Sequence, residues 1–218
     1  MSELLVVVDS IKDWAPYFPA EDVITFDEYL SRQDGKKKTR TRVINLCRSY
    51  KYLSKGYYCS LLSEARDHHV LPSLRVINDL NQKSLYTLHL DDIQQLSSKE
   101  MQKNHSEQDL KFITYFGSTS QAEFKPLAKD LFDKFPCPIL EVSLRFQGRW
   151  QINELQALSP HNLQTDEQQT EFANGLDRFS HKIWRTPKLR KQYRYDLAIL
   201  TNKDEKLPPS DATAIKRF

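Results

Sequence analysis

Apolar positions along this chain follow two rhythms and form a few unbroken runs, and each pattern predicts its own kind of element. Leu4 to Val8 is a continuous apolar run, the mark of a strand buried on both faces. Val43 to Cys47 is a second such run. After it Tyr57, Tyr58, Leu61, Leu62 and Ala65 recur at helical spacing. A polar break at Asp67 to His69 leads into Val70 and Leu71, and Pro72 ends the stretch. Strand, loop, helix and strand in that order form the unit that builds a parallel sheet. The pattern therefore predicts that Leu4–Val8 and Val43–Cys47 share a sheet, with a helix over Leu53–Arg66 packed on it.

The rest of the chain fills in around this unit. Ser10 to Ala20 is an aromatic loop broken by prolines, Val23 to Phe26 a short strand, and Asp27 opens a short helix around Tyr29 and Leu30. Leu74 to Leu80 reads as a short helix or turn, and the alternation over Ser84 to Leu90 predicts a strand. Polar Ser97 to Asp109 is the best internal loop, and apolar, aromatic Leu110 to Phe116 follows it. Phe124, Leu127, Ala128, Leu131, Phe132 and Phe135 fall on one helical face, stopped by Pro136 and Pro138. Leu140 to Phe146 alternates, turns at Gln147-Gly148-Arg149 and resumes at Trp150 and Ile152, which predicts a β-hairpin. Thr165 and Gln168 have capping-box spacing ahead of a helix presenting Phe172, Leu176, Phe179 and Ile183. Tyr195 to Leu200 is a further short strand, and no internal repeat is visible. The fold class expected is α/β or α+β: a mixed sheet with a β-α-β unit, packed helices and a β-hairpin.

Composition narrows the function classes. A chain of 218 residues with 39% hydrophobic and 28% charged residues suits a folded globular protein of one large or two small domains. The net charge of +3 does not call for a nucleic-acid partner. No apolar run approaches the roughly 20 residues that span a bilayer. Three cysteines at unrelated spacings fit buried thiols in a reducing cytoplasm better than a disulfide framework. Two basic stretches, Arg32 to Arg42 and Lys188 to Arg194, leave open a module for nucleic acid or ribosome, although charge runs are commonly just solvated.

Most chemistry-bearing motifs are absent. There is no Gly-rich dinucleotide or P-loop signature, no H-E-x-x-H and no C-x-x-C. Adjacent His68 and His69 would point to opposite faces of a strand, so no metal is expected there. Cys47 follows a strand and could be a nucleophile of a stand-alone peptide-processing enzyme, but a core thiol is the plainer reading. One constellation remains: Arg48, Ser49, Tyr50, Lys51, Lys55, Gly56 and Tyr57. It lies where a strand gives way to a helix, the usual ligand position in parallel sheets. Cations, the free N–H groups of a helix start and a glycine are the ingredients of a phosphate or carboxylate site. The competing reading is that Gly56 lets the helix pack while the tyrosines fill the core.

The run N-L-C-R-S-Y-K-Y-L-S-K-G-Y-Y-C-S-L-L-S-E-A-R, followed by V-L-P-S, resembles the RimK-like ATP-grasp N-terminal domain. So do L-A-K-D-L-F-D-K-F-P-C-P, the spaced Trp150, R-Y-D-L-A-I-L and P-P-S-D-A-T-A-I-K-R-F, in the same order over nearly the whole chain. Asp67 departs from the family, whose comparable turn usually carries glycine. The resemblance implies an accessory, substrate-recognising domain over residues 1–200, a linker over 201–209 and the start of an ATP-grasp ligase over 210–218. Such ligases join a carboxylate to an amine, often glutamate to a peptide or protein, through an acyl phosphate. ATP and magnesium are then implied for the ligase domain, with no cofactor in this chain. The implied partners are that C-terminal domain and an amino acid, peptide or protein substrate, in the cytoplasm, with no membrane.

Overall fold

The structure is a computed structural model that describes residues 3–14, 18, 22–32, 41–87, 90, 109–147 and 150–181. All of these fall in one compact unit, Met1–Trp184; a second unit, Arg185–Phe218, lies outside the described residues.

Four parallel strands form the first sheet: β1 (Glu3–Val8), β2 (Val23–Thr25), β3 (Thr41–Asn45) and β4 (His69–Leu71), in the order β2-β1-β3-β4. The two continuous apolar runs are thus neighbours, with Leu5 opposite Val43 and Val7 opposite Asn45. Because side chains alternate across a strand, each run feeds two cores. Leu5, Val7 and Val43 join Phe26, Tyr29, Cys47 and Cys59 on one face. Val6, Val8, Ile44 and Leu46 join Ile139, Leu158, Phe172 and Leu176 on the other.

Helices α1 (Phe26–Ser31) and α2 (Lys55–Ala65) bring Phe26, Tyr29 and Cys59 to the first face. Each starts where its sequence provides a cap. Thr25 and Glu28 form a capping box, and Ser54 accepts from the Tyr57 N–H. At the end of α2, Asp67 takes the left-handed conformation with φ 58°. Such a conformation favours a residue without a Cβ. Helix α3 (Leu74–Asn81) follows β4 behind its own cap, Ser73.

The other face is covered by an antiparallel sheet of β5 (Leu110–Tyr115), β6 (Ile139–Phe146) and β7 (Trp150–Ala157), with α4 (Lys125–Lys134) and α5 (Asp166–Ser180). The hairpin of β6 and β7 forms as its alternation predicts, with an irregularity near Ser143 and Leu144 that leaves Asn153 outside the register. Thr165 and Gln168 form their capping box at the start of α5. Phe172 of that helix meets Phe18 edge-on at 4.9 Å, and Phe18 meets Trp14 at 5.1 Å. The aromatic loop after β1 is therefore anchored in the core shared with the antiparallel sheet.

One expected strand is corrected. Residues 83–87 and Leu90 are helical, not extended. Tyr86 and Leu90 are both buried, and their spacing of four is a helical face. The alternation of Leu85 and Thr87 with Tyr86 and Leu88 imitated a strand. The loop expected over Ser97–Asp109 lies, apart from Asp109, outside the described residues, as do the interior of the basic stretch Arg32–Arg42, the stretch Lys188–Arg194 and the strand Tyr195–Leu200. Among the described residues no helix is long and apolar enough to cross a membrane.

Candidate functional site

The strand order reverses between β1 and β3. From β1 the chain passes to the core of Trp14 and Phe18; from β3 it passes to α2 on the opposite face. A crevice at the carboxyl ends of two such strands is where open parallel sheets bind ligands. Asp9 and Arg48 stand just beyond the carboxyl ends of these two strands.

Arg48 is held by three hydrogen bonds to two aspartates. Its backbone N–H donates to Asp9 Oδ2 at 2.7 Å. Its guanidinium donates twice to Asp13, Nε to Oδ2 at 2.8 Å and Nη2 to Oδ1 at 2.6 Å. The Asp13 side chain is only 5% exposed, and His161 Nδ1 lies 3.7 Å from its Oδ1. Hydrogen bonds and charge from Asp13 raise the Arg48 pKa above its already high ordinary value, so the cation is permanent. The second oxygen of Asp9, Oδ1, is buried and has no hydrogen-bond partner among the described residues.

The loop beyond Arg48 is fixed from within. Ser54 Oγ donates to the Ser49 carbonyl at 2.7 Å, and the Lys51 N–H donates to Ser49 Oγ at 3.3 Å. Tyr50 is buried; its hydroxyl donates to the Asn45 carbonyl at 2.7 Å, and burial pushes its pKa well up. Asn81 Nδ2 donates to the Tyr50 carbonyl at 2.9 Å. Gly56 packs against this loop. A Cβ there would overlap the Ser49 carbonyl oxygen and approach Cys47 Cβ to 3.1 Å. Its lack of a side chain thus serves the contact between loop and helix.

The predicted residues divide into two groups. Arg48, Ser49, Tyr50 and Gly56 are drawn together at the strand end. Lys55 turns to Asp27, Nζ to Oδ2 at 2.8 Å, which raises its pKa. Lys51 is exposed and has no ion partner among the described residues. Tyr57 meets Tyr52 edge-on at 5.2 Å and Tyr58 at 5.9 Å. Tyr52, Leu53 and Tyr58 are exposed around it.

Three residues of the site escaped the sequence reading. Asp9 directly follows the first apolar run and Asp13 sits in the aromatic loop, with nothing local to link them to Arg48. Asn45 lies inside what reads as an apolar run. It is fully buried, donates to the Gly56 carbonyl at 2.7 Å and Ser60 Oγ at 2.9 Å, and accepts from the Cys47 N–H. A lone amide in a doubly buried strand was the available signal, because such a group must find partners.

The thiols are arranged for packing. Cys47, Cys59 and Cys137 are free and buried. A hydrogen bond with Cys59, together with burial, raises the Cys47 pKa strongly, and burial pushes Cys137 up to about 12. A thiol kept protonated is a poor nucleophile. His68 is engaged as well, its Nδ1 lying 2.8 Å from the Tyr29 hydroxyl. Among the described residues no three His, Cys, Asp or Glu side chains gather to hold a metal.

Away from the loop, an open cavity of about 340 Å³ lies between the antiparallel sheet and the start of α5. Carboxamides dominate its lining, among them Gln156, Asn162, Gln164 and Gln168.

A family model matches the chain: the RimK-like ATPgrasp N-terminal domain, over residues 26–174. That span includes the loop from Arg48 to Tyr57 and all of the cavity, but neither Asp9 nor Asp13. It covers more than half of the 218 residues, and the chain belongs to this family. No curated protein matches it.

Proposed function

We propose that this member of the RimK-like ATP-grasp N-terminal domain family recognises the substrate of an ATP-grasp ligase, holding an amino-acid or peptide end at the loop from Arg48 to Tyr57, without doing the joining itself. The family is the N-terminal part of ATP-grasp proteins, so a C-terminal ATP-grasp domain is the expected partner.

The observation that carries the reading is the mixture of charges on a rigid loop at the switch point. Arg48 and Lys55 already face Asp13 and Asp27, so a bare anion would compete with built-in carboxylates. A zwitterion does not meet that conflict. Its carboxylate suits Lys51 and Arg48, and its ammonium suits Asp27, whose side chain is exposed. The loop's internal hydrogen bonds fix its shape before a ligand arrives, which lowers the entropic cost of binding. The protonated thiols speak against covalent catalysis by Cys47. ATP and magnesium belong in this reading to the ligase domain.

Crystals soaked with a glutamyl dipeptide test the reading. Density within hydrogen-bonding reach of Lys51 and Arg48 is expected. Density only elsewhere, with the pair of Arg48 and Asp13 undisturbed, would overturn it.

A further inference from the structure

The carboxamide-lined cavity lies apart from the loop. Its floor is one row across the antiparallel sheet: Ile113 of β5 opposite Glu141 of β6, and Glu141 opposite Gln156 of β7. Its far wall comes from two consecutive capping boxes, and these fix which way two amides face. Asn162 Oδ1 accepts from Ser159 N at 2.9 Å and Ser159 Oγ at 3.0 Å. Gln168 Oε1 accepts from Gln164 N at 3.0 Å and Thr165 N at 3.3 Å. A carboxamide oxygen has two lone pairs, and both are taken in each case. What Asn162 and Gln168 have left is the NH₂ group, and neither NH₂ has a partner among the described residues.

The remaining lining is adaptable and nearly neutral. The side-chain amides of Gln156 and Gln164 make no hydrogen bond among the described residues, so each can turn to donate or accept. Among the described lining residues Glu141 is the one acidic side chain, and Lys111 Nζ lies 3.5 Å from its Oε1. A ligand here therefore suits the cavity by offering acceptors to two fixed donors and either donors or acceptors to the turnable amides, with little net charge. The peptide group does this at every residue.

We infer that this cavity binds a short stretch of peptide main chain, its carbonyl oxygens taken by Asn162 and Gln168 and its N–H groups by Gln156 and Gln164. About 340 Å³ lies at the small end of the roughly 300–1,000 Å³ typical of ligand pockets. Free anions are disfavoured by Glu141. A sugar is the nearest rival, but among the described residues no aromatic ring lines the cavity to pack against its C–H faces. The inference deepens the substrate-binding reading above and rests on it, while using different residues.

The test titrates isotope-labelled 218-residue chain with N-acetyl-trialanine amide, which has no charged ends, and follows the side-chain NH₂ signals of Asn162 and Gln168. Saturable shifts of both are expected. The double variant N162D/Q168E keeps an oxygen for each cap and removes both donors. It should stay folded and bind at least about tenfold more weakly, as lost hydrogen bonds to buried ligand groups require. Unmoved NH₂ signals, or a double variant that binds like the parent, would overturn the inference. If the peptide shifts only Arg48 to Tyr57, the substrate reading stands and the cavity falls. Preferential binding of a neutral trisaccharide at the same signals would also overturn it.

Discussion

Arg48 grips Asp13 with two parallel hydrogen bonds, 2.8 and 2.6 Å long, and so ties the segment after β3 to the segment after β1. The carboxylate is almost fully covered while the guanidinium is half exposed. Removing the arginine would leave a buried charge without its partner, which is the costly way to break an ion pair. Arg48→Ala should lower the melting temperature. Arg48→Lys should recover only part of the loss, because an ammonium cannot reproduce the planar fork. Thermal unfolding of both variants checks this; full recovery by lysine would show that charge alone matters.

Gly56→Ala should be destabilising even though alanine is the better helix former. The propensity gain is about 1 kcal/mol. Against it stands overlap of the new Cβ with the Ser49 carbonyl oxygen, a backbone atom held in place by Ser54. Overpacking of this kind costs roughly 1–3 kcal/mol. Urea unfolding should give a lower midpoint with an unchanged slope.

Asp67→Gly should be mildly stabilising. The residue is exposed and holds φ 58°, which costs an ordinary L-residue about 1–2 kcal/mol, less for aspartate. Glycine removes that strain but adds roughly 0.4–1 kcal/mol of unfolded-state entropy. A net gain near 0.5 kcal/mol is the expected balance, and denaturant titration can resolve its sign.

Much of this architecture was legible because local pattern and tertiary role agree. Leu4–Val8 and Val43–Cys47 are apolar at every position or nearly so, and only a strand covered on both faces needs that. Thr165 with Gln168 announced a helix start through chemistry that acts within three residues. Residues 83–87 misled because Tyr86 and Leu90 face the core while Leu85 does not, a distinction set by packing partners distant in the chain. The site was half legible for the same reason. Gly56, Tyr50 and Arg48 are marked by the strand-to-helix transition they occupy. Asp9 and Asp13 enter only through folding, which brings them across 39 and 35 residues of sequence to meet Arg48.

Stability should decline on the alkaline side. Burial pushes Cys137 up to about 12 from an ordinary 9.0, so the folded chain keeps a proton that the unfolded chain releases. The stabilisation is complete below about pH 9 and drains as pH rises toward 12. Tyr29, Tyr50 and Tyr115, each raised chiefly by burial, act in the same direction above their ordinary 10.0. Unfolding free energies at about pH 8 and about pH 11 should fall in that order. Equal values would contradict the burial of these groups.

The central claim is that this domain meets the ligase's substrate and not its nucleotide. Parallel isothermal titrations of the 218-residue chain, one with a glutamyl peptide and one with ATP and magnesium, test it most directly. Saturable heat with the peptide, reduced by Lys51→Ala, and none with the nucleotide is the predicted result. Micromolar binding of ATP, with no response to the peptide, would contradict it.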